Sequence, residues 1–162
     1  MDIGLGSDVS VDALRTAFAR MFPSCRIDVV EDLQDATDAA REILVLRHVN
    51  SSEFPTGISV FASLQPGSDF EAWLRELART LSETLATRTI MDGSPYGDTA
   101  APYWSLLWDS GLPYLADDAD SAFADGEGGP VRVVRPLSPD LFRDRVKLSC
   151  AIFRAGRDLT PP

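Results

Sequence analysis

An apolar stripe at helical spacing constrains the fold of this chain more than any other sequence feature. Its members are Phe70, Trp73, Leu74, Leu77, Leu81 and Leu85. Charged residues mostly occupy the other side, where Glu71 and Arg75 are spaced for an i,i+4 pair. Ser68 and Glu71 match a Ser-x-x-Glu capping box, which predicts where the helix begins. A helix of about four to five turns with one apolar side is expected to cover a sheet.

A second helix and several strands are predicted around this stripe. Ser10 is a suitable N-cap residue with Asp12 in the first turn behind it, and Pro23 is expected to end that helix. Short apolar runs rich in β-branched and aromatic residues predict the strands. They lie at residues 26–30, 43–46, 58–61, 87–91, 103–108, 112–115 and 131–134.

The order of these elements predicts an α+β fold, because helices and strands do not alternate strictly. We expect a single domain over residues 1–162, with an antiparallel or mixed sheet. Two main amphipathic helices should form a single layer on one face of that sheet. A short helix is expected from Pro139 to about residue 145. Residues 146–153 either continue it or form a last strand, and the tail is expected to fray from about residue 155.

Charge is distributed unevenly along the chain, whose net charge is −10. Residues 91–129 contain eight acidic residues and no basic one, whereas basic residues prevail from Pro130 onward. Such a chain can fold its basic tail beside the acidic segment, or leave that segment open to a partner. The acidity argues against direct nucleic-acid binding, which needs clustered Lys and Arg, and it suits a basic protein partner.

Hydropathy and cysteine usage favour a cytoplasmic location. No run approaches the roughly 18 apolar residues of a membrane span, and residues 1–6 lack the basic start and apolar stretch of a secretory signal. In a reducing compartment Cys25 and Cys150 are expected to be buried thiols rather than a disulfide. With His48 as the one histidine, a tetrahedral zinc site would lack ligands. We therefore expect no metal and no cofactor.

The acidic segment contains a partial match to a calcium loop. Asp118 and Asp120 are two residues apart, as in an EF-hand. Phe123 stands where that loop needs glycine, and Ala122 takes a ligand position, so the match fails. The segment is then either a solvated loop or a surface for a partner.

No catalytic constellation is recognisable in the sequence. His48 lies at the end of a predicted strand, where a structural imidazole is expected. Its pairing with Cys25 or Cys150 stays open, because catalytic dyads are assembled in space rather than along the chain. We predict that the protein is not an enzyme.

Aromatic residues are concentrated on a predicted hairpin, whose turn is the tripeptide at residues 109–111. Strand alternation places Trp104 and Trp108 on one face and Tyr103 on the other. That tryptophan face is either core or, where a tryptophan is exposed, an anchor for a partner. Our candidate partner-binding residues combine these aromatics with nearby acids. They are Trp104, Trp108, Tyr114, Asp109, Asp117, Asp118, Asp120, Asp125 and Glu127.

In these features the chain resembles the small immunity proteins that bacteria encode beside polymorphic or contact-delivered toxins. The resemblance lies in an acidic single α+β domain, in the helix end LARTLSETL at residues 77–85, and in WSLLWDSGLPY at residues 104–114. It includes no diagnostic motif, so no family site residue is carried over. It implies a protein that neutralises a cognate toxin, such as a basic nuclease domain, by covering its active site.

Two other functions stay open at this point. One is a small enzyme that uses carboxylates or a Cys/His pair. The other is an assembly or chaperone subunit of a secretion or phage apparatus. The sequence leaves the choice between monomer and dimer undecided.

Overall fold

The computed structural model describes residues 2–36, 41–62, 69–98, 103–121, 129–142 and 148. The helices are α1 (Val11–Met21) and α2 (Phe70–Thr84). The strands are β1 (Asp2–Leu5), β2 (Ile27–Val30), β3 (Ile43–Val49), β4 (Thr56–Ala62), β5 (Thr89–Asp92), β6 (Trp104–Asp109), β7 (Leu112–Asp117) and β8 (Arg132–Pro136). Single 3-10 turns lie at Leu33–Asp35, Ser94–Tyr96 and Pro139–Phe142.

The strands form one eight-stranded mixed sheet in the order β2-β3-β4-β1-β5-β6-β7-β8. Strands β2 and β3 pair in parallel, and the other neighbours pair antiparallel. The predicted α+β class with a mixed sheet is therefore confirmed. Strand β1, which the sequence did not predict, lies between β4 and β5 and joins the two halves of the sheet.

Both helices pack on the same face of the sheet, as expected. Leu14 and Phe18 of α1 belong to the same core cluster as Leu77 and Leu81 of α2. Alternate strand residues complete that cluster, and they include Ile3, Ile43, Val45, Ile58, Val60, Leu106 and Leu115. This helix-covered face contains most of the buried apolar surface of the described residues, and burial of apolar surface is the main favourable term in folding.

The predicted start of α1 is confirmed, whereas that of α2 is displaced. The Ser10 hydroxyl accepts the Ala13 N–H at 3.2 Å and caps α1. Helix α2 is capped by Asp69, whose carboxylate accepts the Ala72 N–H at 2.9 Å, and not by the predicted Ser68, which lies outside the described residues. Asp is as good an N-cap as Ser and adds a charge that suits the helix dipole, so the cap falls one residue later.

The predicted hairpin is confirmed as β6 and β7. Its two turn residues, Ser110 and Gly111, have φ of 51° and 80°, the left-handed pair that a two-residue hairpin turn requires. The Gly111 N–H donates to the Ser82 hydroxyl at 3.0 Å, which fastens the turn to the end of α2. The hairpin is therefore anchored at its turn, and its opposite end bears the acidic residues.

The second face of the sheet carries a smaller apolar cluster. Phe54, Ile90, Leu107, Ala116 and Val131 are buried together, with Tyr114 packed against them. Phe54 comes from the loop between β3 and β4 and folds back over this face. The sheet is thus covered by helices on one face and in part by loop residues on the other.

The chain after β8 is described only in part. The short helix predicted from Pro139 is a 3-10 turn at Pro139–Phe142. Residues 143–147 and 149–162 lie outside the described residues, and with them the expected helix or strand at 146–153 and the expected fraying.

Two further expectations concern cysteine chemistry and membranes. Cys25 is disulfide-bonded, which corrects the expectation of a free buried thiol. The one other cysteine of the sequence, Cys150, lies outside the described residues. Among the described residues, neither helix has the length and apolar character that spanning a membrane would need.

Candidate functional site

Residues at the exit of the hairpin form the acidic end, which we define as Tyr103, Trp104, Asp117, Asp118 and Asp120. Trp104 pairs with Asp117 at the last position of the β6–β7 ladder. The chain then bends back, because the Asp118 N–H donates to the Tyr103 carbonyl at 3.1 Å. The Ala119 N–H donates to the Asp117 carboxylate at 3.0 Å and tightens the bend. Local hydrogen bonds therefore hold three acids and two aromatic residues together.

Asp118 is an internal group of the acidic end. It is 6% exposed, and its Oδ2 accepts the Ser105 hydroxyl at 2.5 Å. Its Oδ1 is buried without a hydrogen-bond partner. Burial raises the pKa of this carboxyl, and the Ser105 hydrogen bond opposes that rise only in part. Asp118 therefore holds the loop in place through its buried contact with Ser105, and it does not present a charge to a partner.

Asp117 and Asp120 face a basic residue of the following strand. The Arg132 guanidinium lies 3.4 Å from the Asp117 carboxylate and 3.7 Å from that of Asp120. The chain after Pro130 does fold beside the acidic segment here. The Asp120 and Arg132 side chains are largely exposed, so the pairing is solvent-screened and easily exchanged.

The two aromatic residues of the acidic end differ in exposure. Tyr103 is 47% exposed. Trp104 is half-buried, and its indole N–H donates to the Asp98 carbonyl at 2.6 Å. A Cβ placed on Gly97 would lie 1.9 Å from Trp104 Cδ1, so the absence of a side chain at Gly97 makes room for the indole. The Trp104 ring is therefore fixed in place, whereas the preceding residue, Tyr103, is exposed.

The remaining candidate residues lie elsewhere. Trp108 is 2% exposed and packs edge-on against Phe142 at 5.0 Å, so it is a core residue and not the surface anchor that the sequence allowed. Tyr114 packs on the second face of the sheet, and Asp109 lies beside the turn at the opposite end of the hairpin. Asp125 and Glu127 lie outside the described residues.

A polar cluster that the sequence did not reveal crosses three neighbouring strands on the second face. Ser59 of β4 pairs with Asp2 of β1, and its hydroxyl donates to the Asp2 carboxylate. The same hydroxyl oxygen lies 3.2 Å from Nε2 of His48 on β3. A serine hydroxyl has one proton, which here points to Asp2, so Nε2 of His48 is the donor in the second contact.

This order of groups differs from that of a catalytic triad. In a triad the histidine lies between the carboxylate and the hydroxyl and removes the hydroxyl proton. Here Ser59 lies between His48 and Asp2. The cluster is therefore arranged to orient His48 and Asp2 rather than to activate Ser59. Only the strand register brings these residues together, and no spacing in the sequence signals it.

A pocket of about 350 Å³ opens beside this cluster and is called here the β1–β4 pocket. It is lined by Asp2, Ile3, His48, Val49, Asn50, Ser51 and Gly57. A Cβ on Gly57 would lie 2.6 Å from Cδ2 of His48, so glycine is needed for the imidazole to lie at this point. Across the described part of the chain, no three His, Cys, Asp or Glu side chains are grouped to hold a metal ion.

Comparison of this chain with family models, with curated proteins and with solved structures finds no match.

Proposed function

We propose that this protein is an immunity-type inhibitor that binds a basic bacterial toxin domain and covers its active site. The observation that carries the proposal is the acidic end of the hairpin. There Asp117 shares the Arg132 guanidinium with Asp120 and pairs with the fixed Trp104, and the exposed Tyr103 comes just before Trp104 in the chain. Protein interfaces are typically enriched in aromatic residues, which offer a large contact area, and nearby charges steer the partner toward them.

Electrostatics favours a basic partner for this surface. The chain has a net charge of −10, so its field accelerates encounter with a positive surface. The pairing of Arg132 with Asp117 and Asp120 is exposed and weak. A basic side chain of the partner can therefore take over these carboxylates at little cost.

The proposal predicts that a neighbouring gene encodes a basic toxin domain, and the association rate of that domain with this chain tests it. Asp117→Asn with Asp120→Asn should slow association several-fold and flatten its dependence on salt. Arg132→Gln should act in the opposite direction, because it removes the internal competitor for the two carboxylates. Asp12→Asn with Asp35→Asn is the matched control, since it removes the same two charges from exposed positions outside the acidic end.

Stopped-flow or surface-plasmon measurements at about 50 and 200 mM salt separate these cases. Equal rates for the acidic-end variant and its control would mean that only overall charge matters, and they would remove this surface from the proposal. Absence of any complex between the wild-type chain and the toxin domain would contradict the inhibitor function itself.

The cytoplasmic location belongs to the same proposal, and Cys25 provides its test. Disulfides are rare in reducing compartments, whereas Cys25 is disulfide-bonded. Cells quenched with acid and alkylated before fractionation should yield the protein in the cytoplasmic fraction, with Cys25 protected from alkylation by its disulfide. An oxidised Cys25 recovered from an extracytoplasmic fraction would instead place the protein where toxins arrive.

One observation favours the alternative of a small enzyme. Oγ of Ser59 lies 3.2 Å from Nε2 of His48, which is within reach for proton transfer if the Ser59 proton turns from Asp2 to His48. The disulfide of Cys25 leaves no thiolate at that position for a Cys/His pair. A fluorophosphonate probe that labels the wild-type chain but not Ser59→Ala would support a serine hydrolase, and no labelling would exclude Ser59 as a nucleophile.

A further inference from the structure

The β1–β4 pocket is a candidate contact site separate from the acidic end. Asp2, His48 and Ser59 alternate with the buried residues Ile3, Arg47 and Ile58, so all three point away from the helices. We propose that the pocket receives an arginine side chain of a basic protein partner. The inference rests on the proposed inhibitor function and extends it to a second contact.

The carboxylate of Asp2 is the charge that selects a cation. Its Oδ1 accepts the Ser59 hydroxyl, which fixes the orientation of the carboxylate. None of the ion pairs among the described residues involves Asp2, although the residue is exposed. A guanidinium that reaches Asp2 can donate two parallel N–H groups to it, and such bidentate contacts are among the strongest hydrogen bonds in proteins.

The walls of the pocket suit the rest of an arginine side chain. The His48 ring is held by Ser59 and lies against Gly57, so it offers an ordered planar surface on which a guanidinium can stack. Val49 is 73% exposed and can cover the methylene stem. The Asn50 amide nitrogen donates to the Phe54 carbonyl at 3.4 Å, which directs Nδ2 toward the loop and identifies Oδ1 as the acceptor end of the amide.

His48 supplies a direct readout, because it is the single histidine of the chain. Its imidazole proton resonances are followed by NMR at one fixed pH while N-acetyl-arginine amide is titrated. N-acetyl-citrulline amide, which is nearly isosteric and uncharged, is the control ligand. We expect a saturable shift with the arginine ligand, and a response at least about tenfold weaker with citrulline.

Variants of the full chain make the test specific. Asp2→Asn should weaken the arginine response about tenfold. Asp12→Asn, which removes the same charge from the helix-covered side, should leave it unchanged. Ser59→Ala removes the hydroxyl that orients both Asp2 and His48 and should also weaken the response. Equal shifts with both ligands, an unsaturable response, or an Asp2→Asn variant that behaves as wild type would each overturn the inference.

Binding to the toxin domain separates this inference from the function on which it rests. If the wild-type chain binds the toxin domain and Asp2→Asn binds it equally well, the pocket contact fails while the inhibitor function stands. A tenfold faster dissociation of the Asp2→Asn complex, with an unchanged association rate, supports the pocket. If no complex forms, the inhibitor function fails, and the arginine titration alone decides whether the pocket selects guanidinium groups.

Discussion

At the scale of single residues, burial decides what each acid of the hairpin can do. The sequence gives Asp117, Asp118 and Asp120 the same character, yet the structure separates them. Asp118 is internal and bonded to Ser105, whereas Asp117 and Asp120 share the exposed Arg132. The polarity of an acid is visible in the sequence. Its burial is not, because burial depends on how the loop bends back over β6.

The raised pKa of Asp118 makes stability depend on pH in a defined direction. The Asp118 carboxyl keeps its proton to a higher pH in the folded state than in the unfolded state, where its pKa has the ordinary value of 3.8. Its contribution to stability is therefore most unfavourable above the raised pKa, and the penalty disappears as pH falls below 3.8.

Asp118→Asn should for this reason raise the free energy of unfolding at pH 7, with a gain that shrinks toward pH 4. The amide oxygen can still accept the Ser105 hydroxyl, while the buried charge is gone. Urea denaturation followed by tryptophan fluorescence across this pH range measures both curves. Asp117→Asn is the control at the exposed neighbour. A loss of stability at pH 7 in the Asp118 variant would contradict this account.

At the scale of the elements, local signals predicted most of the helices and strands. Ser10, Pro23 and the stripe from Phe70 defined α1 and α2 to within about two residues, because caps and periodicity act within one turn. The hairpin was predicted from its turn residues. Strand β1 was missed because two of its four residues, Gly4 and Asp2, are poor strand formers, and only pairing with β4 and β5 on both sides defines it.

The cap of α2 gives a prediction at this scale. Asp69→Ala should lower the free energy of unfolding by about 1 kcal/mol, because the Ala72 N–H loses its acceptor. Asp69→Asn keeps an acceptor at the same position and should cost much less. Denaturant titration of the two variants compares them directly. An equal loss in both would mean that the charge of Asp69, and not its hydrogen bond, stabilises the helix.

The exit from β5 offers a second prediction. A Cβ on Gly93 would lie 2.3 Å from the Ser105 carbonyl carbon and 2.4 Å from the Leu106 nitrogen, both in the backbone of β6. Backbone atoms in a sheet cannot move aside as a side chain can. Gly93→Ala should therefore lower the free energy of unfolding by about 3 kcal/mol. Gly6→Ala is the control, since its nearest atom, Cβ of Arg88, would be 3.3 Å away. Thermal or chemical denaturation that ranks both variants equally would refute the argument.

At the scale of the whole molecule, one buried cation connects segments that are far apart in the sequence. Arg47 is 8% exposed and donates to the Val9 carbonyl at 2.7 Å and to Asp8 at 2.8 Å. It also donates to Glu31. The three contacts fasten the approach to α1 and the end of β2 onto β3, next to the helix-covered face.

Arg47→Lys should therefore lower the free energy of unfolding by roughly 3 kcal/mol, because an ammonium group cannot donate to three acceptors in these directions. Asp8→Asn should cost much less, since its side chain is largely exposed. Denaturation midpoints of both variants check this ranking. A negligible effect of Arg47→Lys would show that the approach to α1 is held by other contacts, such as the Val9 N–H donation to Thr56.

The candidate sites show the same division between local and global information. The acidic end was predicted in part, because Trp104, Asp117 and Asp120 are close in sequence and a hairpin keeps them close in space. The β1–β4 pocket was not predicted, because Asp2, His48 and Ser59 meet only through the register of three strands. Long-range register depends on the whole sheet, and no short window of sequence contains it.

The central position of β1 also has a consequence for the time course of folding. Strand β1 precedes both of its neighbours in the chain, and its residue Gly4 pairs with Gly57 on one side and with Ile90 on the other. The β6–β7 hairpin and helix α2 can gain structure early from local contacts, whereas the joining of the two half-sheets at β1 and β5 must wait for a loop closure across more than half of the chain. Such topologies fold slowly, so the closing of this seam is expected to set the folding rate.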